Sequence, residues 1–389
     1  EQNLGSASFY SATLTNTDFS KADLTSAHFE SSTLADTKFT NANLGSARFD
    51  SATLTNAKFT NANLQWSHFE FATLTGTDFS NANLGSASFA SATLTGTDFS
   101  NANLGSASFA SATLTGTDFT NAIIEKADFS NTTSKGFTKE QLYSTKSYKD
   151  KDLYEVKLGG NDLSGWDFKG QDLERANFKL STLTNTDFTN ANLQWVNFDD
   201  ATLIGTDFTN ADLEKASFKS LTLAGTKFTN ANIQMGNFKS AKLTDTDFTN
   251  AIISGASFSS TTSNGFTKEQ LYSTKSYKDK DLSGVWLDGN DLSDWDFREQ
   301  KLSGARFDSA TLTGTDFSNA DLSNVTFIFT TLTGVNFSNA NLTNAGFYFS
   351  TLKDVDFRGA TNSPEVNLDK SQNVIMSDGN IEKFSMLSS

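Results

Sequence analysis

Carboxylates, hydroxyls and two histidines are the side chains of this sequence that could carry out chemistry. Asp, Ser and Thr recur at fixed positions along the whole chain, so no particular Ser-His-Asp arrangement stands out for nucleophilic catalysis. The sequence contains neither a glycine-rich phosphate loop nor a Gly-x-Ser-x-Gly turn. We therefore predict that the protein is not an enzyme, has no catalytic residue and acts on no small-molecule substrate.

The two histidines are the first candidates for a metal site. His28 and His68 each precede a phenylalanine by one residue, and neither has a second histidine nearby in the sequence. The chain has no cysteine, which excludes thiolate ligands and disulfides. We predict no metal ion and no other cofactor.

Aspartates form a candidate acidic ladder at Asp78, Asp98 and Asp118. Their spacing predicts that they stack at about 4.8 Å in successive layers. Like charges so close repel one another unless they are screened, and lysines occupy the same position elsewhere, at Lys38, Lys58 and Lys227. We interpret the ladder as a solvated face, with calcium bridging and a negative surface that imitates DNA as the alternatives.

Threonines flank a leucine repeatedly and form a candidate outward stripe. Its members are Thr73, Thr75, Thr93, Thr95, Thr113 and Thr115. A flat Thr-x-Thr array is similar to the ice-binding face of some β-solenoid antifreeze proteins. The pattern is broken at Ala35, Ile204, Ala224 and Lys242. Those breaks favour a simpler interpretation, that threonine suits an extended, half-exposed backbone.

A five-residue repeat must position all of these side chains. Most of the 36 phenylalanines stand ten residues apart, and a leucine usually lies midway between two of them. These centres run without a slip over 4–129, 153–258 and 282–357. The period is neither helical nor that of an alternating strand, so it indicates a repeat architecture with one continuous core. A small residue two places before each centre should also face inward.

The repeat resembles the pentapeptide-repeat family, whose signature is Ala-(Asp or Asn)-Leu-x-x. The matching segments include Ala22-Asp23-Leu24, Ala62-Asn63-Leu64 and Ala211-Asp212-Leu213. The resemblance implies an all-β fold, a right-handed quadrilateral β-helix with four pentapeptides per coil. Four faces also follow from the sequence itself, because 79–98 and 99–118 are identical segments, each four pentapeptides long.

Two similar segments interrupt the repeat. The sequence of 136–153 recurs unchanged at 265–282. Thr138 and Gln141 fit a capping box, which predicts a short helix from about Lys139 to Ser144. The step between the centres on either side of an interruption is not a multiple of five, so we expect extra loop or helix in a bulged coil. Trp166 and Trp295 follow at small inward positions, which predicts that the coil widens there.

The predicted organisation has six segments. They are solenoid array 1 over 1–131, a helix-containing interruption over 132–152, array 2 over 153–260, a second helix-containing interruption over 261–281, array 3 over 282–359, and a C-terminal cap or arm over 360–389. We expect one continuous solenoid rather than three separate domains.

Charge and composition limit the partners. The net charge of −15 argues against binding nucleic acid through its phosphates. No run of 18 apolar residues occurs, so we predict no membrane span. The chain begins with Glu1 rather than Met, which we interpret as removal of a leader, and we expect an extracellular or cell-surface location.

The predicted function is structural: an exported, non-enzymatic solenoid that associates with itself, head to tail or laterally, into a fibre or surface layer. The candidate assembly ends are Leu4, Phe9, Phe357, Val374, Ile375 and Phe384. An alternative comes from the family resemblance, because some pentapeptide-repeat proteins mimic DNA and bind type II topoisomerases. Ice binding by the threonine stripe is the third possibility.

Overall fold

The computed structural model describes residues 2–362 and 371–382, so the candidate Phe384 lies outside the described residues. The chain forms two compact units, each of which is described by itself. Unit 1 contains Glu1–Thr186 and Ala191–Ala201, and unit 2 contains Asp187–Asn190 and Thr202–Ser389. The boundaries predicted for the three arrays stay predictions.

Parallel backbone bridges stack each coil on the next. They pair residues at equivalent positions of successive coils, such as Asn3 with Asp23 and Asp23 with Asn43. The Leu4 amide donates to the Asp23 carbonyl at 2.7 Å, and a regular coil such as the first makes four such bridges. Four five-residue faces per coil confirm the predicted all-β quadrilateral β-helix.

We number the faces of a coil in chain order. In unit 1, faces one to four have the centres Leu4, Phe9, Leu14 and Phe19, and the numbering repeats with each coil. In unit 2, faces one to four have the centres Leu213, Phe218, Leu223 and Phe228. The two residues that follow each centre form the corner to the next face.

The core is a stack of leucine and phenylalanine side chains, as the spacing predicts. Phe29 and Phe49 are fully buried, and their rings stack at 4.8 Å between centroids. Phe39, on the face opposite, meets Phe49 edge to face at 5.9 Å. Such pairs add about 0.5–1.5 kcal/mol each beyond the burial of their surface.

Face four often has an inward residue other than the alanine that is common on the other faces. In most of its coils this residue is a buried threonine whose hydroxyl donates to a leucine carbonyl of the preceding coil, whereas Ala57 and Trp166 occupy the position in two others. Thr97 donates to Leu74 at 2.6 Å, and Thr117 donates to Leu94 at 2.7 Å. The hydroxyl is therefore satisfied inside the wall of the coil, as a buried polar group must be.

The corners require backbone in the left-handed region. The second corner residue has a positive φ in coil after coil, for example Asn41 at 59° and Gly76 at 67°. Glycine adopts this conformation freely, and Asn and Ser adopt it at modest cost. Their frequency at this position follows from the geometry of the turn.

The two interruptions fold alike. The first contains a 3₁₀ helix Thr133–Lys135, helix α1 Lys139–Ser144 and helix α2 Lys146–Lys149. The second contains a 3₁₀ helix Thr262–Asn264, helix α3 Lys268–Ser273 and helix α4 Lys275–Lys278. The predicted helix and its capping box are confirmed, whereas the shorter helices α2 and α4 were not expected.

The bulged coils are longer than the others, as predicted. The bridges of Asp128 with Lys157 and of Ser257 with Trp286 enclose more of the chain than the bridge of Ser108 with Asp128. Phe137 turns inward and stacks on Phe129 at 4.8 Å. Trp166 is also buried, with its ring 5.9 Å from that of Phe137, so the coil does widen around it.

The C-terminal part of unit 2 contains the longest strands. A parallel sheet has four strands in chain order: β1 Thr311–Thr313, β2 Thr331–Thr333, β3 Thr351–Lys353 and β4 Ser371–Gln372. A separate antiparallel pair follows, formed by β5 Val374–Ile375 and β6 Ile381–Glu382. The Phe357 amide donates to the Ile375 carbonyl at 2.8 Å. Residues 371–382 therefore lie as a further layer over the last coil.

Among the described residues, no helix has the length and apolar character that crossing a membrane requires.

Candidate interaction surface

Exposed large apolar side chains are concentrated around face two in each unit. In unit 1, the exposed residues at corners bordering this face are Tyr10, Trp66, Phe71, Leu180 and Trp195. In unit 2, Met235, Phe329, Tyr348 and Phe349 border face two, and Trp286 lies on it. Within the described part of the chain, only Ile204 is exposed elsewhere, at a corner between faces three and four. Each unit thus has one apolar side.

Most of these side chains stand on strained backbone. The φ angles lie between 56° and 62° at Trp66, Phe71, Leu180, Trp195, Met235, Phe329 and Phe349. Bulky residues are outliers in this region, at a cost of about 1–3 kcal/mol each. These side chains are largely exposed and lie outside the core, so burial in the core does not offset that cost.

Two of the exposed rings already contact each other. Phe329 and Phe349 occupy the same corner in successive coils and stack at 5.1 Å, although each remains about two-thirds exposed. Tyr348 precedes Phe349 at that corner and is equally exposed. Together they form an apolar ridge along the edge of face two in unit 2.

Face two of unit 1 also holds two columns of opposite charge. His28, Arg48 and His68 follow one another in the bridge ladder. Glu30, Asp50 and Glu70 occupy the first corner position of the same coils. Arg48 joins the columns, because its guanidinium lies 3.0 Å from Glu30 and 2.9 Å from Asp50.

Asp50, His68 and Glu70 come close enough to hold a metal ion, since one ligand atom of each lies within 4.8 Å of the others. Burial and the adjacent Glu70 raise the pKa of Asp50, despite the nearby Arg48. A cation bound there would compete with that guanidinium for the Asp50 carboxylate. The sequence did not reveal this cluster, because Asp50 lies 18 residues before His68 and only the stacking of coils brings it to His68 and Glu70.

The candidate acidic ladder lies along face four. Asp78, Asp98 and Asp118 bridge in succession on face four. Each Oδ1 accepts a hydrogen bond from the amide two residues later, for example from Ser80 at 2.9 Å. Burial acts to raise the pKa of Asp78, but hydrogen bonds from Ser80 and Thr60 lower it overall. These carboxylates thus help to form the corner that follows them.

The candidate threonine stripe lies on face three. Thr73, Thr93 and Thr113 bridge in succession, and Thr75, Thr95 and Thr115 are exposed beside them at the corner. The stripe meets the first interruption at its C-terminal end, where the Leu114 amide donates to the Lys135 carbonyl at 2.8 Å. A Cβ on Gly136 would lie 2.5 Å from Thr115 Oγ1, so the interruption packs directly over this row.

The candidate assembly ends differ in accessibility. Leu4 and Phe9 are half-buried, whereas centres of later coils such as Phe29 are fully buried. Phe357 and Val374 are buried against the layer formed by 371–382, and Ile375 is half-buried. Among the described residues, the candidate end at Phe357 and Val374 is therefore covered, whereas Leu4 and Phe9 stay partly accessible.

Family models match the repeat along most of the chain. The model of the pentapeptide repeat region matches residues 2–71, 62–138 and 151–228. The model of pentapeptide repeats in eight copies matches residues 237–262, 281–319, 291–327 and 320–359. The chain therefore belongs to the pentapeptide-repeat family. Neither family description names a catalytic activity. No curated protein matches the chain.

Solved structures of other pentapeptide-repeat proteins are similar at a low level. HetL, a protein involved in heterocyst differentiation regulation from the cyanobacterium Nostoc sp. Strain PCC 7120, is 23% identical over 65% of this chain and 89% of its own, with a TM-score of 0.31. A protein of the Arabidopsis thaliana thylakoid lumen is 32% identical over 28% and 66%, with a TM-score of 0.20. QnrB1, a plasmid-mediated fluoroquinolone resistance protein, is 20% identical over 53% and 89%, with a TM-score of 0.23. At such scores none indicates a function for this chain.

The apolar side of each unit was missed in the sequence, although a signal for it exists. Once the five-residue register is known, the second residue after each centre must adopt a positive φ. An apolar residue at that position, such as Trp66 or Phe329, then stands out against the usual Asn, Ser or Gly.

Proposed function

We propose that this protein is an exported, non-enzymatic structural solenoid that associates side by side with further copies of itself through face two. The observation that carries the proposal is the row of strained, exposed apolar residues at the corners of that face. Lateral association in this way would build a fibre or a layer at the cell surface or outside the cell. Head-to-tail contact stays a prediction.

The energetics favour a buried partner for these side chains. A large aromatic residue offers about 150–250 Å² of surface. At about 25 cal/mol per Å², covering the exposed part of one ring gains roughly 2–3 kcal/mol. That gain is of the same order as the strain at each corner. The strained corners are therefore costly in an isolated chain and offset when face two is covered.

The charges on face two suit a second copy of the same chain. A two-fold axis places the same patch of both copies in contact. The column of His28, Arg48 and His68 in one copy would then lie near Glu30, Asp50 and Glu70 of the other. Adjacent columns of opposite sign are thus self-complementary, whereas a partner with one sign of charge would meet repulsion from one column.

The net charge of −15 opposes association at low salt. Because salt screens this repulsion while leaving apolar contacts intact, assembly should increase with ionic strength. A contact made mainly by surface ion pairs would weaken instead.

The test replaces strained apolar residues by the residue that other corners use. Phe329→Asn with Phe349→Asn removes the apolar ridge and relieves the corner strain, so folding is kept. We expect self-association, measured by sedimentation velocity over a range of concentrations, to weaken at least about tenfold. Ile204→Asn is the matched control, because it removes an exposed apolar side chain that does not border face two.

Negative-stain electron microscopy of the native chain would show the form of the assembly. Laterally joined particles that disappear in the double variant support the proposal. A native chain that stays monomeric at every concentration and salt level would refute it, as would an equal effect of Ile204→Asn.

The carboxylate column of face four is the observation that favours the DNA-mimicking alternative. Inhibition of gyrase supercoiling by a discrete dimer, lost on replacing Asp78, Asp98 and Asp118 by Asn, would support that function instead. Thermal hysteresis lost on enlarging Thr93 and Thr95 would support ice binding.

A further inference from the structure

A groove crosses face two of unit 2 next to the second interruption. Its volume is about 660 Å³. Met235 and Trp286 form its two apolar walls, and between them the short side chains of Ser257 and Ser259 and the backbone of Gly255 form the floor. The groove exists because small residues stand in the coil between two large side chains.

Trp286 presents one side of its ring to this groove. It stands in a bridge ladder between Ser257 and Arg306. The Arg306 guanidinium covers one side of the ring, with Cζ 4.8 Å from the ring centroid. The neighbour of Trp286 on the other side of the ladder is Ser257, which has a short side chain, and the indole remains 42% exposed. Stacking on Arg306 thus fixes the indole as a flat apolar platform.

Hydrogen-bonding groups surround the platform and are held in place. Asp288 accepts from the Ser259 hydroxyl at 3.2 Å and from the Asp308 amide at 3.1 Å. Arg306 lies 3.0 Å from the Asp308 carboxylate. The side chains of Asn237 and Lys239 add donors at the opposite rim. Donors and acceptors therefore alternate around an apolar surface.

The charges in the groove balance. Lys239 and Arg306 carry positive charge, and Asp288 and Asp308 carry negative charge. A small anion would meet Asp288, and a small cation would meet Arg306 and Lys239. A neutral ligand with many hydroxyls and one apolar face avoids both costs.

We propose that this groove binds a neutral saccharide, whose pyranose ring stacks on Trp286 while its hydroxyls bond to Asp288, Asn237 and the serine hydroxyls. Ligand pockets commonly combine an apolar wall with a few fixed polar groups in this size range. The proposed role is binding, with no chemical step. The groove lies on face two, where self-association is proposed, but its lining does not include Phe329 or Phe349, so substitutions at those two residues test self-association without altering the groove.

The internal duplication supplies a natural control. When the two interruptions are aligned, Trp286 corresponds to Lys157 and Met235 corresponds to Ser106. The related groove in unit 1 is lined by Lys126, Glu155, Lys157 and Arg175 instead, without an aromatic wall. The same scaffold therefore occurs with and without the platform, and only the groove in unit 2 should bind saccharide.

The experiment is calorimetric titration of the full chain with neutral hexasaccharides: cellohexaose, maltohexaose, laminarihexaose, mannohexaose and chitohexaose. We expect at least one to bind with a stoichiometry of one. Trp286→Ala should raise its Kd at least about tenfold, because the stacking surface is lost. Trp286→Phe, which keeps a smaller platform, should restore much of the affinity. Lys157→Ala is the matched control and should leave Kd unchanged.

Trp286 is half-exposed, so Trp286→Ala should fold normally, and circular dichroism would check this. Failure of every probe to bind at millimolar concentration would overturn the proposal. Equal loss in Lys157→Ala, or binding unaffected by Trp286→Ala, would overturn the assignment to this groove.

Discussion

The two interruptions share one scaffold and differ in the surface beside it. Helices α1 and α3 have the same sequence, the same capping box and the same buried leucine. Phe137 stacks on its neighbour at 4.8 Å and Phe266 at 4.7 Å. Across face two, in contrast, Lys157 is replaced by Trp286 and Gly159 by Asp288. Positions that face the core have been kept, and positions that face outward on one side have diverged.

This contrast separates what the fold needs from what the surface offers. An inward position has a fixed volume and fixed hydrogen-bond partners, so few residues fit it. An outward position on face two tolerates either a lysine or a tryptophan, because the coil beneath is unchanged. The difference between the two regions therefore points to function on face two rather than in the interruptions themselves.

The largest expected losses of stability come from removing a buried phenylalanine, and they should be equal at the two interruptions. Phe137→Ala and Phe266→Ala each remove a buried ring and leave a cavity, which costs about 3–5 kcal/mol. Long repeat arrays do not unfold as one cooperative step. Hydrogen exchange at amides of 127–137 and 256–266 is therefore the suitable measurement. A clearly smaller loss at one site would show that the two cores are not equivalent.

A buried asparagine beside each interruption allows a second comparison, with a somewhat smaller expected loss of stability. Asn161 accepts hydrogen bonds from the amides of Thr132 and Thr133 and donates to the carbonyls of Phe129 and Leu158. Replacement by Ala leaves these groups without a partner, which should cost about 3 kcal/mol.

Asn290 makes the same four bonds around the second interruption, at 2.8–3.0 Å. Asn290→Ala should therefore match Asn161→Ala in the exchange rates of the neighbouring amides. Protection that survives in one variant alone would break the structural equivalence.

The smallest expected effect is a pH-dependent change in melting temperature, and it should differ between the two regions. Burial raises the pKa of Asp288 above its ordinary value of 3.8. At a pH above this raised pKa, the charged Asp288 carboxylate therefore lowers the free energy of unfolding. Below pH 3.8 the carboxyl is protonated in both the folded and the unfolded chain, so this destabilisation disappears. Asp288→Asn should slightly raise the melting temperature at pH 7 and leave it nearly unchanged at pH 3.

Asp162 in unit 1 is a control, because its pKa is shifted in the direction opposite to that of Asp288. Hydrogen bonds from the hydroxyl and the amide of Ser164 lower the pKa of Asp162. Its charge therefore stabilises the fold at neutral pH and loses this role as pH falls through the lowered pKa. Asp162→Asn should slightly lower the melting temperature at pH 7, and the two variants moving in the same direction would contradict this account.

Much of the fold could be predicted from the sequence because one register decides it. A centre such as Leu104 and the alanine two places before it follow directly from the period of five, and so does the helix that begins at Lys139. The buried threonine of face four could not be recognised in this way, because its hydroxyl is satisfied by a carbonyl of the preceding coil, as between Thr97 and Leu74.

The surface was predicted less well than the core, for a physical reason. Trp286 and Met235 are far apart in the sequence, and only the longer, bulged coil places them on either side of one groove. The columns around Arg48 also arise from stacking and not from local sequence. Apart from the second corner residue, outward positions are constrained little by the repeat, so their combination becomes visible only in three dimensions.

The bulged coil has a consequence for how such a gene can grow. Every coil begins and ends with the same edge, so copying a whole coil leaves both stacking surfaces unchanged, as the identical segments 79–98 and 99–118 illustrate. The two interruptions lie 129 residues apart in the sequence, which equals one bulged coil of 29 residues plus five regular coils of 20. Recombination between the two copies of the interruption would therefore shorten or lengthen the protein by a block that keeps every residue in its five-residue register. Each new block could then evolve its own surface.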